Sequence, residues 1–211
     1  SDLWVYDYTD GNISQWLSDD VAAVSWSPMG NGEGNSQAAV ALFDAGNQRF
    51  ELNLVTYQGV SRTMAEYASR FFSWSPDGEN VAFVRQAHSD LSSDAVGIYV
   101  VSRHGGEAIK ISDFAYQSGG WVGDRPVWVP EYQVMLVADN PFRIVSLDGS
   151  GDVTPITVDG QSVEGPRADD MLWLDRNRLL VVSGESIVGS AVWVHTLSVD
   201  LHIVEQSEFL G

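Results

Sequence analysis

The chain has 211 residues, 44% of them hydrophobic, which is enough to build a sizeable core. Its longest apolar runs, such as "RLLVVSG" and "SAVWVHTL", fall well short of the roughly 20 residues a membrane-crossing helix needs, so no such helix is expected. Against 29 acidic residues stand 11 basic ones, of which one is a lysine, Lys110. The formal charge of -18 argues against nucleic acid and anionic membrane surfaces as partners, since both are bound by clustered Lys and Arg.

There is no cysteine, which excludes disulfides, thiolate metal sites and a cysteine nucleophile. The sequence opens on "SDLWVYDY", without an initiator Met, a basic segment or an apolar leader, so a signal or anchor segment is expected to have been removed or to lie outside these residues.

Taken in chain order, "LWVYDYTDGNISQWLSD" (3–19) predicts two strands. A unit then begins at "VSWSPMG" around Trp26 and continues through the strands "AAVALFD" (38–44), "RFELNLVTY" (49–57) and "SRTMAEY" (61–67). The second unit begins at "FSWSPDG" around Trp74 and runs through "NVAFVRQ" (80–86), "VGIYVVSR" (96–103) and "EAIKISDF" (107–114). The third starts at "PVWVPEY" around Trp128 and contains "QVMLVAD" (133–139), "FRIVSLDG" (142–149) and "DVTPITVD" (152–159). The fourth starts at "MLWLDRN" around Trp173, with "RLLVVSG" (178–184), "AVWVHTLSV" (191–199) and "LHIVEQSEF" (201–209).

The tryptophans are 48, 54 and 45 residues apart, and no helical periodicity intervenes. Four short strands per unit at this spacing predict an all-β propeller of four-stranded blades. A single blade cannot cover both faces of its own sheet, which explains why the hairpin recurs. In the second unit Pro76 presets the turn and Asp77 and Gly78 tolerate its conformations, while Trp74 is placed to pack between neighbouring blades. Trp26, Trp74, Trp128 and Trp173 are expected at equivalent strand ends, each burying on the order of 200 Å².

"SWSPDGENVAF" followed by "GIYVVSRHGGEAIKIS" closely resembles the repeat of the TolB-like propellers, also called the WD40-like or PD40 repeat. The likeness is fullest over 71–112 and clear over 23–67. Over 125–159 and 169–209, "WVPEY" and "WLDRN" keep the tryptophan without the Ser-Pro-Asp-Gly chemistry. The resemblance implies one propeller domain or fragment over 1–211, with a half blade at 1–22 and blades at about 23–68, 69–120, 121–165 and 166–211. Trp4 and Tyr6 correspond in this alignment to the place of Tyr99 and Trp193. About four and a half blades result, and the chain is expected to be part of a larger propeller of about six or seven. Strands from outside these residues would then pair with the edge of 3–7. The rival is a five-bladed ring with one thin blade.

Candidate chemistry is sparse. "SGESIVGS" (183–190) approaches G-x-S-x-G, but its spacing is one residue too long and no helix follows, so Ser186 is read as a loop residue and no catalytic residue is assigned. His88, His104, His195 and His202 fall in different units without metal-site spacing. "DYTDGN" (7–12) and "SDLSSD" (89–94) lack the calcium-loop pattern, and the glycine-rich "GNGEGNSQ" (30–37) joins two strands and opens no helix. No metal or cofactor is therefore expected. The connection "DFAYQSGGWVGDRPVWVP" (113–130) places Tyr116, Trp121, Asp124 and Arg125 among glycines, and these four are the candidate binding residues, with packing of Trp121 between blades as the alternative.

By resemblance, the chain is expected to be a non-catalytic protein-interaction or ligand-binding module of the cell envelope or exterior, periplasmic or secreted, with a protein partner or a missing propeller segment. The alternative is the propeller of an enzyme, a prolyl-oligopeptidase-type serine peptidase or a polysaccharide lyase, whose catalytic part lies outside these residues.

Overall fold

The computed structural model describes residues 2–7, 9–18, 20–29, 36–56, 59, 61–113, 126–129, 134–137, 143–148, 153–155, 157–158, 161–162, 168–175, 178–185, 189–197 and 204–210. Two compact units divide the chain, Ser1–Lys110 and Ile111–Gly211. Among the described residues no helix is long and apolar enough to cross a membrane.

In the first unit β1 (Leu3–Tyr6) and β2 (Ile13–Leu17) form a two-stranded antiparallel sheet. Next come β3 (Val21–Trp26), β4 (Gln37–Asp44), β5 (Arg49–Thr56), β6 (Ser61–Trp74), β7 (Asn80–Arg85), β8 (Gly97–Ser102) and β9 (Ile109–Ser112), in that order across one sheet. A 3₁₀ turn, Ser93–Ala95, precedes β8.

Strand β4, "QAAVALFD", shows how the stacking works. Ala38, Ala39, Val40 and Ala41 are all fully buried, as expected for a strand covered on both faces. Ala38 and Val40 pack with Trp16 and Leu17 of β2, while Ala39 and Ala41 pack with Phe72, Trp74, Val81 and Phe83. Small side chains on β4 let both neighbouring layers approach.

Strand β6 departs from the sequence reading, which placed separate strands at 61–67 and before Trp74. It is one strand of 14 residues, pairing with β5 through Ser61–Ala68 and with β7 through Ala68–Trp74. Two four-stranded layers thus share β6. The change of partner is made by a bulge in which Ser69, Arg70 and Phe71 oppose Val84 alone. The buried Ser69 hydroxyl accepts from the Phe71 N–H at 3.0 Å and donates to the Phe71 carbonyl at 3.2 Å, satisfying groups the ladder leaves behind. Just before the bulge Tyr67 has φ +56°, a left-handed conformation rare for a residue with a side chain.

In the second unit β10 (Val127–Trp128), β11 (Val134–Val137), β12 (Arg143–Ser146) and β13 (Val153–Pro155) form one antiparallel sheet. β14 (Thr157–Val158) and β15 (Gln161–Ser162) form a short hairpin. β16 (Ala168–Trp173), β17 (Arg178–Glu185), β18 (Gly189–Leu197) and β19 (Val204–Phe209) form another four-stranded sheet. The segment "DVTPITVD", expected as one strand, is split between β13 and β14. Pro155 ends β13, in keeping with its lack of an N–H for the ladder.

Each of the four repeat tryptophans closes a first strand. Trp26 lies opposite Ala38, Trp74 opposite Val81, Trp128 opposite Met135 and Trp173 opposite Leu179. Their surroundings differ. Trp74 is 8% exposed, Trp128 is half-buried and Trp26 is 49% exposed. Burial expected of all four therefore fails at Trp26. Its indole meets Trp16 of the two-stranded β1–β2 sheet edge-on, with centroids 5.3 Å apart, and that narrow layer leaves much of the ring in solvent.

Candidate binding site

At one end of the first unit the β4–β5 turn, the β6 elbow and the β7–β8 loop come together. The turn Asp44–Arg49 is closed by the Asp44 carboxylate, which accepts from the N–H groups of Gly46 and Asn47 and from the Asn47 amide. These bonds to the charged form, led by the Asn47 side chain, hold the Asp44 carboxyl below its ordinary range. Arg49 begins β5 and reaches Glu51 at 2.9 Å and Glu66 at 3.3 Å, with its guanidinium 4.7 Å from the centroid of Tyr67. The bond to Glu51, opposed by desolvation and aided by Tyr67 and Glu66, raises the Arg49 pKa.

The Tyr67 ring also meets His88, with centroids 5.1 Å apart. His88 Nε2 lies 3.0 Å from the Asn47 carbonyl, and Nδ1 accepts from the Asp90 N–H at 3.2 Å, which fits the tautomer carrying its proton on Nε2. His88 thus ties the β7–β8 loop to the β4–β5 turn. Tyr67, in a conformation that costs on the order of 1–2 kcal/mol, is flanked by Arg49 and His88.

Beside this cluster runs an open groove of about 380 Å³, lined by Thr63–Tyr67 of β6, Arg85, Leu91 and Ala108. Arg85, the last residue of β7, lies 4.0 Å from the centroid of Tyr99, whose hydroxyl donates to the Ala95 carbonyl. The Arg85 Nε–H is buried and has no acceptor.

At the opposite strand ends a second cavity of about 320 Å³ touches Met29, Gln37, Arg103 and His104. There Glu79 pairs with Arg103 and His104, each at 3.2 Å, and Arg62 donates to the carbonyls of Arg103 and His104. These groups already have partners within the chain, and the bonds fasten the β8–β9 turn.

Tyr116, Trp121, Asp124 and Arg125 lie outside the described residues, as do Ser186 and His202. Glu185 and Gly189, on either side of the Ser186 segment, pair across the β17–β18 hairpin. His195 lies in β18 opposite Leu179 and Ser207. Among the described residues no three or more His, Asp or Glu gather as a metal site. Tyr67, Arg49 and Arg85 were not candidates from the sequence, because no motif links them.

Antiparallel four-stranded sheets with a tryptophan closing each first strand, and in the first unit layers packed on both faces of β4, are the architecture of a β-propeller. No protein-family model matches the chain. Among solved structures, a putative TolB from Agrobacterium tumefaciens matches 100% of this chain and 88% of its own, with a TM-score of 0.54 and 15% identity. The propeller is a TolB-like one in fold. The β-propeller domain of the Trilobed protease from Pyrococcus furiosus matches 90% of this chain and 57% of its own, at 16% identity and a TM-score of 0.49. By sequence, an uncharacterized peptidase, YuxL, from Bacillus subtilis strain 168 is 39% identical over 64 residues, which is 30% of this chain and 8% of that protein.

Proposed function

We propose that the chain is a non-catalytic binding module of the cell envelope or exterior that engages a protein or peptide partner. Its contact surface is the end of the first unit where Arg49, Glu66, Tyr67 and His88 meet. The observation that carries this reading is Tyr67, an aromatic residue kept at φ +56° beside a guanidinium and an imidazole at the rim of a groove. Strained residues concentrate where a surface is shaped for contact, and aromatic and arginine side chains are favoured contact residues. The connection with Tyr116, Trp121, Asp124 and Arg125 belongs to the same proposal as a second contact segment. The envelope assignment rests on resemblance to TolB-like propellers.

The test is affinity capture from an extract of the source organism with the wild-type chain and Tyr67→Ala in parallel, followed by measured affinity for the purified partner. A partner retained by the wild type and weakened at least about tenfold in the variant supports the reading. Equal retention by both, or turnover of ester or peptide substrates by the chain, overturns it.

A second reading has its own support. The peptidase match favours a propeller that belongs to a peptidase. The parent coding sequence decides between the two: an α/β-hydrolase region continuous with these residues supports the peptidase, and its absence there supports the binder.

A further inference from the structure

We propose that the groove beside Arg85 is a carboxylate-binding site that takes an acidic or C-terminal carboxylate carried on an extended peptide. Arg85 is the starting point. The chain is rich in carboxylates, and Arg49, Arg62 and Arg103 each have acceptors: Glu51 and Glu66 for Arg49, two backbone carbonyls for Arg62, and Glu79 for Arg103. Arg85 has no ion pair and no side-chain hydrogen bond among the described residues, although it lines the groove. Its guanidinium is held by the Tyr99 ring at 4.0 Å, a contact that orients the plane without using any of its donors. Such a group matches a carboxylate, which accepts two parallel bonds from a guanidinium.

The wall of the groove indicates the kind of molecule that carries the carboxylate. Five consecutive residues, Thr63, Met64, Ala65, Glu66 and Tyr67, line it. Two register shifts in the pairing with β5, at Met64 and at Tyr67, break the usual alternation and let consecutive side chains of this run reach one groove. On β6 these residues pair with β5 on one side; on the other, the Tyr67 carbonyl accepts from the Gln86 N–H and ladder pairing with β7 begins at Ala68, which leaves Thr63–Glu66 as the edge facing the groove. An extended peptide laid along this edge would find backbone partners as well as a cation near the elbow, where Ala68 lies opposite Arg85. Leu91 and Ala108 supply apolar contact. The overall charge of -18 repels anions at a distance, so affinity has to come from this short-range contact.

The proposal rests on the binding reading and adds a ligand class to it. The experiment is calorimetric titration of the 211-residue chain with three probes: N-acetyl-Ala-Ala-Val-Leu as free acid, the same peptide as C-terminal amide, and N-acetyl-Ala-Glu-Val-Leu-amide. Binding of the free acid at least about tenfold tighter than its amide assigns a C-terminal carboxylate, and the same preference for the Glu peptide over the simple amide assigns a side-chain one. Arg85→Gln should abolish the preference and Arg85→Lys should restore part of it. The wild-type comparison of acid and amide stands even if Arg85→Gln unfolds the chain. No preference for either carboxylate peptide, or an unchanged preference in a folded Arg85→Gln, overturns the proposal. A partner captured through Tyr67 with no carboxylate preference would overturn this inference alone, leaving the binding reading in place.

Discussion

The indole Nε1–H of Trp74 donates to the carbonyl of Ser25 at 3.0 Å, joining the first strand of one repeat to the first strand of the repeat before it. Trp74 is 8% exposed and packs with Phe72, Val81 and Phe83, so its ring belongs to the layer interface and its N–H is satisfied there. Trp74→Ala is expected to destabilise the chain by about 3–5 kcal/mol through the cavity and the lost bond. Trp74→Phe keeps most of the volume and should lose about 1–3 kcal/mol. Denaturant unfolding measures both, and similar small losses for the two would deny the indole this role.

Trp26 occupies the same register in the preceding repeat yet is 49% exposed. Trp26→Phe should therefore remove a share of the tryptophan fluorescence that acrylamide quenches readily. Trp74→Phe should remove a share that resists quenching. The reverse pattern would mean that Trp26 is covered in solution.

Much of the architecture was legible because the repeat carries its chemistry locally. The turn "SPDG" is set by Ser75, Asp77 and Gly78, and the Ser75 N–H to Asn80 carbonyl bond of the second repeat recurs as Ser27 N–H to the Gln37 carbonyl in the first. What was not legible depends on distance. Arg49, Tyr67 and Arg85 are far apart in sequence, and only the change of partner along β6 brings them to one rim. The bulge at Ser69–Phe71 has no glycine or proline to mark it, so "SRTMAEYASRFFSW" read as two strands where there is one. Exposure of Trp26 was hidden for a similar reason, since it depends on the width of the neighbouring layer.

Gly78 sits at φ +67°, and a Cβ added there would come within 2.4 Å of Met29 Cγ and 3.1 Å of the Ser27 hydroxyl. Gly78→Ala should cost about 1–2 kcal/mol from the backbone alone, with more from the contact. Met29→Ala in the same chain should recover part of that loss. Strictly additive effects in the double-mutant cycle would show that the two turns do not touch.

Asp77 gives a pH signature. Its carboxylate accepts from the Ser75 hydroxyl first and from the Glu79 N–H at 3.0 Å, and these bonds lower its pKa below 3.8. A carboxyl whose folded pKa is depressed adds stability above its unfolded pKa, and that stability is lost as pH falls through the folded value. Asp77→Ala should therefore be less stable at neutral pH by about 0.5–1 kcal/mol, after allowance for solvent screening. The gap to wild type should close as pH drops below 3.8. Asp7 and Asp44 shift in the same direction and remain in the variant, so Asp77→Ala should keep an acid limb, shallower than the wild type's by the share that Asp77 contributes. A gap that stays constant down to about pH 2 would contradict the assignment.

The elbow at Tyr67 supports the sharpest prediction, because it separates backbone from ring. Tyr67→Ala and Tyr67→Gly both remove the contacts with Arg49 and His88, and they differ only in tolerance of φ +56°. In a strand alanine is ordinarily the more stable of the two by about 0.5–1 kcal/mol. Here the order should invert, with Tyr67→Gly the more stable by about 1 kcal/mol, since glycine enters the left-handed region without a Cβ clash. Equilibrium unfolding of the two variants measures the difference directly, and alanine above glycine would mean that the backbone at the elbow is relaxed in solution. Binding provides the complementary readout. If the ring is the contact surface, both variants should lose affinity for a partner to the same degree despite their different stabilities. Recovery of affinity in Tyr67→Gly alone would place the function in the bend of β6 and not in the side chain.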